Sequence, residues 1–143
     1  MAPRILIVDD EHNHRRALSI SLRMEGYEVL EAADGQSALD VLATEHADVV
    51  VADLMMPRID GLELARRLRF ARPHVKLILM SAYHLTRAQI ERAQVGEIRF
   101  LPKPYPFEML AGLLRDCFDQ SGPHLRVNAD EVAETDGELP IAL

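Results

Sequence analysis

Five polar residues of this chain each follow a short apolar run, and their types suit one kind of chemistry. Asp9 and Asp10 close Ile5-Leu6-Ile7-Val8, and Asp53 closes Val49-Val50-Val51-Ala52. Ser81 closes Leu77-Ile78-Leu79-Met80, and Lys103 comes just after Ile98-Arg99-Phe100-Leu101. If these runs are parallel strands, all five groups meet in the crevice at the carboxyl ends, where open α/β sheets bind ligands. Mg²⁺ prefers oxygen ligands and keeps several waters, so one or two carboxylates plus a phosphate suffice to hold it. A carboxylate is also a nucleophile toward phosphorus, and the transfer is then helped mainly by positioning and charge neutralisation. Asp53 stands alone at its strand end and is the better nucleophile candidate. Lys103 offers a point charge and Ser81 a hydrogen-bond donor for the transferred oxygens.

Each residue alone also has an ordinary reading. An acid pair after a strand is commonly a helix N-cap and its neighbour, Ser81 suits a turn, and Lys103 between two prolines suits an exposed loop. It is their placement after four different strands, at one sheet edge, that argues for a site.

The elements needed to position them are legible as short apolar runs alternating with stretches of helical period, the pattern of a parallel sheet with crossover helices. Strands are predicted at about Arg4 to Val8, Glu28 to Glu31, Asp48 to Asp53, Val75 to Met80 and Ile98 to Leu101. The first helix, about Asn13 to Glu25, presents Ala17, Leu18, Ser21, Leu22 and Met24 and stops at Gly26. A second runs from an Asp34 cap to about His46, and a third spans about Leu62 to Ala71 and ends before Pro73. The fourth is predicted at Thr86 to Gln94 and the last at Phe107 to Asp119. From Gln120 to Leu143 no period is sustained and acids accumulate, so residues 120–143 read as a flexible acidic tail after a 1–119 domain.

A length of 143 residues with 48% hydrophobic content fits one domain with one core. The net charge of −7 argues against general affinity for nucleic acid. The cluster Arg66, Arg67, Arg69 and Arg72 reads as a solvated helix face. Cys117 has no partner for a disulfide or a metal site and reads as a core residue in a reducing compartment. No stretch approaches a membrane span or a signal sequence, so a cytoplasmic location is expected. His12 and His14 read as solvated, because no further ligand joins them for a tetrahedral metal site.

The segments Ile7-Val8-Asp9-Asp10-Glu11, Asp53-Leu54-Met55-Met56-Pro57 with Asp60-Gly61, Met80-Ser81-Ala82 and Leu101-Pro102-Lys103-Pro104 together resemble the receiver domain of bacterial two-component response regulators, over about Pro3 to Asp119. The resemblance implies a CheY-like, flavodoxin-like (βα)5 fold, a doubly wound five-stranded parallel sheet in order 2-1-3-4-5 with helices on both faces. It implies that Asp53 accepts a phosphoryl group from a histidine kinase or phosphotransfer protein. Mg²⁺, or Mn²⁺ in its place, would be held by Asp9, Asp10, Asp53 and the backbone carbonyl of Met55. Lys103 and Ser81 would grip the phosphoryl oxygens, and the Lys103-Pro104 bond would be cis. Ser81 and Phe100 match the switch pair that communicates phosphorylation to an output face formed by the fourth helix, fifth strand and last helix. Met55 and Tyr83 match the positions flanking the attacking water, and neither is an acid or amide, which implies slow self-dephosphorylation.

Such a protein is not an enzyme beyond its own phosphorylation and dephosphorylation. Its partners would be the kinase or phosphotransfer protein and a downstream protein target, with no direct nucleic acid contact and no membrane insertion. It would be a monomer or a phosphorylation-dependent dimer. The chain resembles a stand-alone receiver, and a segment cut from a longer regulator or hybrid kinase would read alike. Two other classes fit less of the pattern. A receiver-like adaptor would bind its partner without phosphorylation, and an aspartyl-phosphate phosphatase would want a second acid where Met55 stands.

Overall fold

The computed structural model describes residues 2–82, 85–86, 88–89, 91, 98–119 and 138–139. Five strands form: β1 Arg4–Val8, β2 Glu28–Ala32, β3 Val49–Asp53, β4 Lys76–Ser81 and β5 Arg99–Pro102. All pair in parallel, in the order 2-1-3-4-5. Side chains alternate between the two faces, and both faces are covered. Leu6, Val8, Val50, Ala52, Leu77, Leu79 and Phe100 pack with Ala38, Leu42, Leu64 and Leu68, which come from helices α2 (Gly35–Thr44) and α3 (Gly61–Ala71). Ile5, Ile7, Val49, Val51, Ile78, Met80 and Leu101 pack with Leu18 and Leu22 of α1 (His12–Met24), and with Leu110, Leu114 and Cys117 of the C-terminal helix (Phe107–Phe118). Burial on both sides explains why Ile5–Val8, Val49–Ala52 and Leu77–Met80 are continuous apolar runs, whereas the edge strand β2 carries Glu28 and Glu31.

The starts of α1, α2 and α3 are set by side-chain caps that satisfy otherwise unpaired amides. Asp34 accepts from Ser37 N at 2.7 Å, and Asp60 accepts from Glu63 N at 2.8 Å. Glu11 caps α1 by accepting from Asn13 N and His14 N. Gly26 ends the α1 turn at φ +98, a left-handed value that glycine adopts without a Cβ penalty.

The packed face of α1 differs from expectation. Met24 and Ala17 are not on the packed face of α1; Met24 is 82% exposed, while Ser19 is buried beside Leu18 and Leu22. At 100° per residue, position 24 lies far round the cylinder from the stripe centred between 18 and 22. Cys117 is a core residue, as expected, with Arg99 Nη1 donating to its sulfur at 3.3 Å. The predicted fourth helix, Thr86 to Gln94, lies mostly outside the described residues. So does the tail, except that Glu138–Leu139 pairs antiparallel with Leu85–Thr86. Among the described residues, no helix is long and apolar enough to cross a membrane.

Candidate functional site

Strand register brings the site together. Val8 lies beside Ala52 and Asp53 beside Met80, so Asp9 and Asp53 leave the sheet side by side. Ser81 is the last residue of β4 and lies beside Pro102, which puts Lys103 at the same edge. Lys103 N donates to the Ser81 carbonyl at 3.0 Å, and Leu54 N donates to that of Met80 at 2.8 Å. These bonds tie the residue after β5 and the residue after β3 to the end of β4.

Carboxylate oxygens of Asp9, Asp10 and Asp53 all lie within 4.8 Å of one another. Asp9 is fully buried, Asp53 partly, and Asp10 is exposed. Lys103 Nζ donates to Asp53 Oδ2 at 2.7 Å, while Met55 N donates to Asp53 Oδ1 at 3.2 Å. The Lys103-Pro104 peptide bond is cis. Three hard oxygen donors converging on one point, one of them withdrawn from water, match a small divalent cation that takes part of its shell from carboxylates and the rest from water.

The neighbouring groups are tuned by this charge. Burial pushes the Asp9 carboxyl up, but hydrogen bonds from His14 and the Glu11 amide, with the nearby charges of His14 and Lys103, hold it below the usual carboxylate value. The hydrogen bond to Asp9 raises His14 above the ordinary imidazole value, against partial burial. Burial, then the charges of Asp9 and Asp53, push Tyr105 up to about 12, and its hydroxyl rests 3.2 Å from the Met80 sulfur. His14, Lys103, Tyr105 and Phe107 line a cavity of about 510 Å³ next to the acids.

The structure therefore assembles Asp9, Asp10, Asp53, Ser81 and Lys103 at one edge. Neither acid of the Asp9-Asp10 pair is the α1 cap, since Glu11 holds that position. The Met55 side chain is exposed, Ser81 is buried, and Phe100 sits inside the sheet's α2/α3 core. Tyr83 lies outside the described residues. The solvated reading of His14 is overturned, because its ring is partly buried and its Nδ1 pairs with Asp9 Oδ2.

The response regulator receiver domain family matches residues 5–115. This chain belongs to that family. Response regulator MprA of Mycolicibacterium vanbaalenii is 37% identical over 123 residues, which are 86% of this chain and 53% of that protein. For MprA of Mycobacterium avium the identity is 36% over 138 residues, 96% of this chain and 60% of the relative. The chain thus spans just over half the length of these relatives. Among solved structures, TrrA of Thermotoga maritima, in complex with Mg²⁺-BeF, is 33% identical with a TM-score of 0.71, covering 80% of this chain and 98% of TrrA. Vibrio cholerae CheY4 is 29% identical at a TM-score of 0.73, with 80% of this chain and 98% of CheY4 covered. The fold expected of a receiver domain is the one observed, down to the strand order.

Proposed function

We propose that this receiver domain is a phosphorylation-gated signalling module that works in the cytoplasm and accepts a phosphoryl group on Asp53. The observation that carries the reading is the convergence of three carboxylates with Lys103, whose ammonium lies on Asp53 itself. A phosphohistidine of a histidine kinase or phosphotransfer protein is the donor. One Asp53 carboxylate oxygen bonds to phosphorus, the P–N bond breaks, and the freed imidazole takes up a proton. Lys103 draws the Asp53 carboxylate into place and then faces the charge of the transferred group, which adds about −1.5 to −2 at neutral pH. The Ser81 hydroxyl, at the end of β4, donates to one of the new oxygens. Asp9, Asp10, Asp53 and the Met55 carbonyl are the residues that would hold Mg²⁺, or Mn²⁺ in its stead. When bound, the ion neutralises charge on the phosphoryl oxygens.

The drawn-in Ser81 then shifts its loop, Phe100 repacks, and a protein-binding surface changes. Met55 and Tyr83 supply no acid or amide to orient an attacking water, so the acyl phosphate is long-lived. The domain turns over no substrate beyond its own phosphorylation and dephosphorylation. Incubating the chain with acetyl phosphate and Mg²⁺ tests the core of this reading. Intact mass should rise by one phosphoryl group, stable to acid and released by hydroxylamine, and Asp53→Asn should abolish the gain. A wild-type chain that stays unmodified, or an Asn variant modified to the same extent, would overturn it.

A further inference from the structure

The Asp9 carboxylate is buried and held by the protein at both oxygens. Oδ1 accepts from Glu11 N at 2.9 Å, and Oδ2 contacts His14 Nδ1. An ionised carboxylate only accepts, so the shared proton belongs to Nδ1. The position of His14 is itself fixed from Glu11, whose Oε2 accepts from His14 N at 2.7 Å. Asp9, Glu11 and His14 thereby form a closed ring of three hydrogen bonds around the first turn of α1. Asp9's own carbonyl is also taken, by Arg15 Nη1 at 2.7 Å. Lys103, the cationic side chain on Asp53, does not substitute for His14, since its hydrogen bond goes to Asp53 Oδ2.

The Glu11 amide alone would pin one oxygen and leave the carboxylate free to turn about that point. With His14 on the other oxygen the plane is fixed, in the orientation that keeps Asp9 within 4.8 Å of the Asp10 and Asp53 oxygens. We propose that His14 is a positioning residue for divalent-cation binding, its Nδ1–H holding Asp9 in the orientation that completes the three-carboxylate cluster. The inference rests on the reading above that this cluster takes Mg²⁺. Hydrogen-bond partners behind metal-binding carboxylates typically govern affinity by about 10- to 100-fold.

Calorimetric titration of the full chain with MgCl₂ tests this without relying on phosphorylation. His14→Leu should weaken Mg²⁺ binding by about tenfold or more. His14→Asn places an amide N–H where Nδ1 stands and should recover most of the affinity. A role in folding alone would instead show as a lower melting temperature in EDTA, with Mg²⁺ affinity intact in the folded fraction. His14→Ala removes the ring without adding apolar bulk and gives the same reading should Leu perturb the helix. Equal or tighter binding by the Leu and Ala variants, or an Asn variant as weak as they are, overturns the role of His14 while leaving the cation site standing. A wild-type chain that takes up no Mg²⁺ overturns the site, and this inference with it.

Discussion

A Cβ on Gly61 would stand 2.8 Å from the Leu54 Cα and 2.9 Å from the Asp53 carbonyl oxygen, both backbone atoms that cannot swing aside. The same residue's amide donates to the Leu54 carbonyl at 2.7 Å. Gly61 therefore lets α3 start hard against the chain segment that carries Asp53, and any side chain there must push that segment. We expect Gly61→Ala to destabilise the fold by roughly 1–3 kcal/mol, the usual cost of overpacking. It should also slow Asp53 phosphorylation by acetyl phosphate beyond what the unfolded fraction explains. A denaturation midpoint and a phosphorylation rate both equal to wild type would show that the contact is slack. The acids, Ser81 and Lys103 were legible because the sheet edge is implied by where apolar runs stop. His14 was not, because its meeting with Asp9 depends on the phase of α1. That phase is set by which of three consecutive acids caps the helix, and Asp9, Asp10 and Glu11 are indistinguishable by type until Glu11 is seen to take the amides of Asn13 and His14.

Among the elements, α2 shows how much one carboxylate can set. Asp34 accepts from Ser37 N and from Arg58 Nη2 at 2.8 Å, so it caps α2 and ties down the residue at φ 66 in the loop after β3. The Ser37 amide, then Arg58, holds Asp34 below its ordinary value near 3.8. A carboxyl lowered in the folded state stabilises fully above its unfolded value, and that stabilisation fades as pH falls through the folded one. Asp34→Ala should therefore cost about 1 kcal/mol at neutral pH, the usual worth of an N-cap. Asp34→Asn, also a good cap, should lose less. The gap between wild type and Ala should narrow as pH falls from about 3.8, where the unfolded carboxyl takes up its proton, through the lower folded-state value. Chemical denaturation across acid pH checks this, and a gap constant down to the lowest pH would place the effect elsewhere than in the ionised cap. Asp34 as a cap, Gly26 as a stop and the five strands were all readable, since each rests on local chemistry. Met24 was misassigned because a short helix with an apolar residue just off its stripe shows nearly the same pattern as one with it on the stripe.

At the scale of the molecule, both packed layers among the described residues are built from residues between Ile5 and Phe118. Among the described residues, α1 and the C-terminal helix pack on one face of the sheet, and α2 and α3 pack on the other. Beyond Asp119, the described contact is the two-residue antiparallel pairing of Glu138–Leu139 with Leu85–Thr86. A ladder this short contributes little, because each backbone hydrogen bond gained from water is worth about 0.5–1.5 kcal/mol net and short two-stranded pairings are marginal in isolation. Ending the chain at Asp119 should then lower the melting temperature by no more than about 4 °C, the shift that roughly 1 kcal/mol produces in a chain of this size. Acetyl phosphate should still modify Asp53, since every carboxylate of the cluster and Lys103 remain in place. Amide exchange at Leu85 and Thr86 should quicken, because their backbone partner is gone. A fall well beyond 4 °C would mean that residues 120–143 complete the packed structure and that the domain boundary at Asp119 is misplaced.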